Sequence, residues 1–450
     1  MLPSTFRFRD PGEPLWHALL MWSIALSVGL GVTWLQFHFS AAPGGMLFAD
    51  NVLLTSTLIT RESMRVLENN LTTTKCVNRQ YDDKFGVEGA KVGQIVNARK
   101  PIRVVGRTGQ AAQIEGITET SVPVPLTTQA GVDLEVSQAD LLLSIDDFGD
   151  RILKPCVANI ANRMDADVNA LAIQVANVEG TPGTTPNALL TYLLAGVDLD
   201  NSATPMDGDR HLVLTPLSQA YIIDALKGLF QQATAIAEQY AKGQMGTAIG
   251  FTWYMDQNIS TMTVGPQGGT PLVNLAGQTG NSLNTKGWTS AAAVRLNVGD
   301  RFTIAGVRSV NPQSRQSTGI LQRFVVTAQF SSDASGNGAV LISPPIIPSG
   351  QYQTVDSSPA DGAAITVVGA ANTQSPQNLA FHRDAFTLVT ADLPMPRGVD
   401  MSGRLSDKQL GISILFVRAY DVMSGQLITR LDVLYGVAVL RQELATVIAA

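Results

Sequence analysis

The chain has 450 residues, past the length at which one hydrophobic core keeps growing, so two or more substructures are expected. Only 15% of residues are charged against 45% hydrophobic, a low charge content for a soluble monomer, so part of the surface is expected to be covered by other copies. A formal net charge of -6 argues against a DNA condenser, which needs clustered Lys and Arg to displace counterions, though not against a container for DNA.

Residues 15–37 are almost uninterruptedly apolar and long enough to span a bilayer. Arg7 and Arg9 precede the run, His17 lies in it and Ala41-Ala42-Pro43-Gly44-Gly45 follows. Alone it reads as a membrane anchor or a long signal peptide. From Ala49 to Asn70 the apolar residues Leu53, Leu54, Leu58, Ile59, Met64 and Leu67 share one helical face. Cys76 to Phe85 is polar and reads as an arm that packs on a neighbour. Val92 to Val136 reads as extended chain with turns, since Pro101 forbids a helix interior and favours extended backbone before it. Its basic residues Arg99, Lys100, Arg103 and Arg107 fit a phosphate site, but the solvated face of an exposed hairpin is the commoner reason for such a group.

Ser137-Gln138-Ala139-Asp140 resembles a capping box with Asp in place of Glu. A long helix is predicted next, because Leu153, Val157, Ile160, Met164, Val168, Leu171, Val175 and Val178 form one continuous stripe. Pro155 requires its first turn to be there, and Glu179-Gly180 and Pro182-Gly183 stop it after roughly 40 Å. A short helix over Ala188–Val197, a polar loop over Asp198–Asp209, a buried strand at His211–Leu214, a helix over Leu217–Gln239 and a loop over Gly243–Gly250 follow. The loop acids Asp198, Asp200, Asp207 and Asp209 lack the glycine offset of a calcium loop and read as a solvated turn.

Val264 to Gln377 changes character, with Gly, Ser, Thr, Asn and Gln between short apolar alternations. Val298–Val307 reads as turn, strand, turn, and Phe324–Phe330 and Ala339–Ser343 flank a hairpin turn over 331–338. Such spacing implies a small barrel or sandwich. Beyond it stands Asn378-Leu379-Ala380-Phe381-His382-Arg383-Asp384-Ala385-Phe386-Thr387-Leu388-Val389. Ile412–Tyr420, a turn at Met423-Ser424-Gly425 and Gln426–Leu440, which contains Leu431-Asp432-Val433-Leu434-Tyr435-Gly436-Val437, make an antiparallel hairpin suited to a helix-covered sheet.

No nucleophile elbow, zinc-protease, P-loop or dinucleotide motif is present. Cys76 and Cys156 show no CxxC or Cys/His spacing and read as two reduced thiols, one packed in a helix. The histidines His17, His38, His211 and His382 are isolated, and Asp146, Asp147 and Asp150 sit where acids complement a helix dipole. No catalytic, cofactor or metal residue is assigned.

The stretch Asn378–Val389, the glycine-rich segment before it and the tail Leu431–Val437 resemble the signature of tailed-phage major capsid proteins, the coat-protein family typified by short-tailed Salmonella phages. The resemblance runs from about Met46 to Val447 and rests mainly on the order of the parts. It implies an α+β Johnson fold with an inserted all-β domain. Its parts would be an N-terminal arm (46–91), an extended loop (92–136), a peripheral domain with its spine helix (137–183), an axial domain (184–263), the β insertion (264–377), and the axial remainder with the C-terminal peripheral strands (378–450).

The resemblance also implies a non-enzymatic, cofactor-free subunit. Pentamers and hexamers would form a procapsid around a scaffolding protein in the bacterial cytoplasm, and the shell, linked to a portal, would enclose double-stranded DNA without reading its sequence. Arg99, Lys100, Arg103 and Arg107 would then lie on a loop over the adjacent subunit and meet acidic side chains there. Residues 1–45 have no counterpart in the family, and Met46 opens a segment that begins like its arm. Translation from Met46 is therefore the preferred reading, with no membrane expected. An intact mass including Met1 would exclude it. Two alternatives of other classes are an encapsulin-like nanocompartment shell and a membrane-anchored β-rich surface protein.

Overall fold

A computed structural model describes residues 56–79, 95–106, 109–110, 114, 116, 119–136, 152–226, 246–407, 411–421 and 426–450. The apolar run, Met46, Ser137–Asp140, Asp146, Asp147, Asp150 and Arg107 lie outside these residues. Helix α1 (Ser56–Asn70) buries Ile59, Met64 and Leu67, the face its periodicity marked. The polar arm expected on a neighbour instead turns inward over its described part. Cys76 and Val77 join the subunit's own core, and Asn78 N donates to Phe386 O at 3.0 Å while Asn78 O accepts from Leu388 N at 2.9 Å. A strand edge of the same chain satisfies this backbone, so burial here does not need apolar residues.

Strands β1 (Ile95–Arg99) and β2 (Ser121–Pro125) pair antiparallel, and β3 (Thr128–Val136) follows. Helix α2 (Lys154–Asn169) starts with Pro155 in its first turn, as required. It buries Val157, Ile160, Met164 and Val168, but it is shorter than predicted. Sixteen helical residues span about 24 Å, then a 3-10 turn (Ala170–Gln174) ends it and Val175 is extended. The stripe continued through Val175 and Val178 because those residues are also buried, only in another conformation. Strand β4 (Val178–Glu179) is short, and α3 (Leu189–Asn201) runs four residues past its predicted end, taking in Asp198 and Asp200. Asp198 is therefore a buried helical residue rather than part of a solvated turn.

Strand β5 (Arg210–Leu214), helix α4 (Pro216–Leu226), β6 (Thr247–Ala248), β7 (Phe251–Met255) and β8 (Thr261–Thr263) complete this part. Its core holds Tyr192, Leu199, Leu212, Leu214, Phe251 and Ile448.

Eight further strands follow: β9 (Leu272–Val273), β10 (Gly280–Lys286), β11 (Ala293–Leu296), β12 (Arg301–Val310), β13 (Ser317–Val326), β14 (Phe330–Ser332), β15 (Gly338–Ile346) and β16 (Ile365–Val367). The order β16-β12-β13-β15-β10-β9 closes on itself, since Val273 N donates to Ala363 O at 2.9 Å and Ile365 N to Pro271 O at 3.0 Å. Closure removes the exposed edges of a free sheet. The interior is a separate apolar cluster around Phe302, Ile304, Phe324, Val340 and Ile342, with Trp288 against Phe330 at 5.4 Å.

The chain then returns through β17 (Gln374–His382), β18 (Phe386–Ala391), β19 (Met401–Asp407), β20 (Ile412–Asp421), β21 (Gln426–Val439) and β22 (Ala445–Ala449). β20 and β21 form the predicted hairpin, and β3 adds to the other edge of β21. The helices α1 and α2 share one core with this sheet, in which Phe416, Leu431, Val433 and Tyr435 are buried. β17 is central to a second sheet, ordered β4-β22-β17-β5-β7-β6 among the described residues. The barrel has its own core, yet all described residues belong to one compact unit.

Candidate functional site

The side chains that join the barrel to the body make one junction. β12 opens with Arg301, 3% exposed, whose guanidinium faces the chain just past the end of α2. Nη2 donates to Ala172 O, Nε to Val175 O and Nη1 to Gln377 Oε1, each at 2.7 Å. Two carbonyls just past α2 thus receive a charged donor from the barrel, Ala172 O accepting also from Val175 N at 3.1 Å. Burial lowers the Arg301 pKa to about 10, with Asp300 opposing. Burial likewise raises Asp300 to about 6, against hydrogen bonds from Asn297 N and Gly265 N. Gly299, at φ +93°, lies so close to Ile173 that a Cβ would displace it.

Arg323 of β13 makes a second contact with the body, pairing with Glu179 of β4 and, at 2.7 Å, with Asp198 of α3. Burial raises the Asp198 pKa, and Arg323 pulls it back. A cavity of about 100 Å³ opens beside the pair, lined by residues that include Arg103, Arg323, Gln353 and Glu443.

Among the described residues, Arg99 does not share a patch with Lys100 and Arg103. Arg99 is 79% exposed on its side chain and reaches Glu119 at 3.6 Å. Lys100 N donates to Thr120 O at 2.8 Å, and burial lowers its ammonium pKa, with Glu443 opposing. Arg103 turns inward to Glu443 at 2.6 Å. Burial disfavours the Glu443 carboxylate, yet Arg441 and Arg103 hold its pKa below the ordinary value. Arg107 lies outside the described residues.

Asn378, fully buried, accepts from Thr215 N at 2.8 Å and donates to Ser218 Oγ at 3.0 Å, which fixes the start of α4 on β17. His382 accepts from Asp384 N at 3.2 Å and faces Asp207 at 3.1 Å. Phe381 and Phe386 meet edge to face at 5.2 Å. On the buried face of α2, Asp165 accepts from Thr72 N at 2.9 Å, Thr74 N at 2.8 Å and Thr74 Oγ1 at 2.6 Å, tying the segment after α1 to α2. Its pKa is raised to about 6 by burial, against these hydrogen bonds. Among the described residues no group of three or more His, Cys, Asp or Glu could hold a metal ion, and no helix is long and apolar enough to cross a membrane.

Sequence reading missed Arg301, Arg323, Glu179, Asp198 and Asp165. The sequence carried no signal for the arginines: Arg301 alternates with the barrel-interior residues Phe302 and Ile304, and Arg323 with Phe324 and Val326, so each reads as an ordinary residue of a solvated strand face. Only the fold shows that this outer face packs on the body, where a buried charge needs a partner.

No curated protein matches the sequence. Among solved structures, mycobacterium phage Che8 is 11% identical, covering 84% of this chain and 90% of that one, with a TM-score of 0.40. The capsid of cyanophage P-SCSP1u is also 11% identical, covering 82% and 88%, with a TM-score of 0.37. The coat protein I-domain of CUS-3 is 28% identical over 23% of this chain and 98% of its own, with a TM-score of 0.18. The family described as "P22 coat protein - gene protein 5" matches residues 49–448. The chain therefore belongs to the P22 coat protein family: it has an α+β fold and is a non-enzymatic major capsid subunit of the phage virion.

Proposed function

We propose that this coat subunit assembles as pentamers and hexamers into a procapsid around a scaffolding protein. The shell, closed at a portal, then encloses double-stranded DNA without sequence-specific binding. The observation that carries this reading is the family match over residues 49–448. The junction supports it physically: Arg301 and Arg323 fasten a closed barrel to a stiff helix-and-sheet body. Repeated contacts around closed symmetry add up even when each is modest. The net charge of -6 suits a container that encloses DNA without gripping it.

The parts take the roles of arm (46–91), extended loop (92–136), spine segment (137–183), axial part (184–263), insertion (264–377) and returning strands (378–450). Among the described basic residues, Arg99 is best placed to meet an acid on a neighbouring copy, because its own partner is distant and exposed. Lys100 and Arg103 act closer to the loop's root, and Arg107 keeps the contact role that the resemblance implies, outside the described residues. The test is Arg99→Glu, with the chain expressed beside the scaffolding protein of the same phage. Electron microscopy should show impaired assembly while the subunit's melting temperature is unchanged. Normal particles from that variant would reject the contact role.

A further inference from the structure

We propose that the turn between β12 and β13 is a positioning device for the root of the extended loop, so that the barrel sets the direction in which the loop leaves the subunit. Residues 101–106 have no regular secondary structure, and Ile102 and Val104 are 45% and 62% exposed. Neither a ladder nor burial of these side chains fixes the segment. Side chains of the barrel reach three consecutive carbonyls instead. The Gln351 amide donates to Arg103 O, Arg315 Nη2 to Val104 O at 2.8 Å, and Arg315 Nη1 to Val105 O at 3.3 Å. The Arg103 guanidinium leads away from them, paired with Glu443 and 6.0 Å from the Tyr352 ring centre.

A second observation points the same way. Arg315 has φ +56°, a left-handed conformation that favours Gly or Asn. The turn needs no side chain there, since it is closed by the bonds Arg315 N to Asn311 O at 2.8 Å and Asn311 N to Gln316 O at 3.0 Å. Strain at a non-glycine residue persists where something else gains from the side chain. Here the guanidinium reaches the loop. The same turn is anchored to the body, because Asn311 Nδ2 donates to Asn201 O at the end of α3 at 3.0 Å. The turn thus holds the loop root from a fixed point. The consequence for assembly rests on the proposed role of the loop in contacting a neighbouring copy; the clamp itself does not.

The test uses the full chain with Arg315→Gly, which removes the guanidinium and relieves the left-handed strain. The melting temperature should be unchanged or higher. Trypsin cleavage of the unassembled subunit after Arg103 should speed by about tenfold, as expected when two or so hydrogen bonds no longer oppose local opening. Assembly should give shells of mixed size or open sheets. Gln351→Ala should act in the same direction and stands in if Arg315→Gly fails to fold. Lys286→Ala, which breaks an exposed pair with Asp361 elsewhere on the barrel, should behave as wild type. An unchanged cleavage rate overturns the clamp, and faster cleavage with wild-type shells overturns its role in assembly. If the wild-type chain forms no shells, the proposed function fails, and the cleavage rates still decide the clamp.

Discussion

Arg301 of the barrel donates its Nη2 proton to the carbonyl of Ala172, 2.7 Å away, where α2 has just ended. One buried cation thereby caps the end of a helix and holds the barrel on the body. Its removal should be costly, because the carbonyls of Ala172 and Val175 and the Gln377 amide oxygen would lose a charged donor without access to water. Arg301→Met should lower unfolding stability by about 3 kcal/mol or more, read as a shift in denaturant midpoint at constant slope. A loss below about 1 kcal/mol would mean that water replaces the guanidinium.

Arg323 faces Glu179 and Asp198 together, so its pairs should be coupled. Arg323→Met should destabilise by about 2–4 kcal/mol because it strands two carboxylates. Adding Asp198→Asn should recover part of that loss, with a coupling of about 1 kcal/mol or more in a double-mutant cycle. Strict additivity would show that the three groups do not act as a unit.

The helix-and-sheet body was legible in the sequence because its signals are local and repeated. Leu67 in α1, Val157 and Ile160 in α2, and the hairpin of β20 and β21 all follow from apolar spacing. The end of α2 was not legible. Its apolar spacing runs on through Val175 and Val178, and the residue that captures the unwound carbonyls lies 126 positions from Val175. Asp198 was misread for the same reason, its partner Arg323 being 125 positions away. The basic group at 99–107 was visible as charge, yet only the fold separates outward Arg99 from inward Arg103.

Asp165 should leave a pH signature. Burial raises its pKa from 3.8 to about 6, so the folded state binds more protons than the unfolded state between these values. Its favourable contribution is complete below about pH 4 and is lost as pH rises through about 6, a change on the order of 3 kcal/mol. The stability of the wild type relative to Asp165→Asn should therefore fall between pH 4 and 7. A difference that is flat with pH would contradict the raised pKa.

Gly436, in the tail of the signature, sits where a Cβ would run into Pro125 O at the crossing of β2 and β21. Backbone cannot yield there as a flexible side chain can. Gly436→Ala should destabilise by about 1–3 kcal/mol and reduce the soluble yield of the subunit. Gly208→Ala has no neighbour within 4 Å of the added methyl group and should owe any loss to its φ of +95° alone, about 1 kcal/mol. Equal effects at both sites would count against the close crossing.

Cryo-electron microscopy of the chain co-expressed with the scaffolding protein proposed above tests the shell assignment most directly. The expected result is closed icosahedral particles whose repeated subunit shows a helix lying across the terminal strands and a barrel emerging between β8 and β17. Protein that stays monomeric at high concentration, or that sediments with membranes and forms no particles, would contradict it.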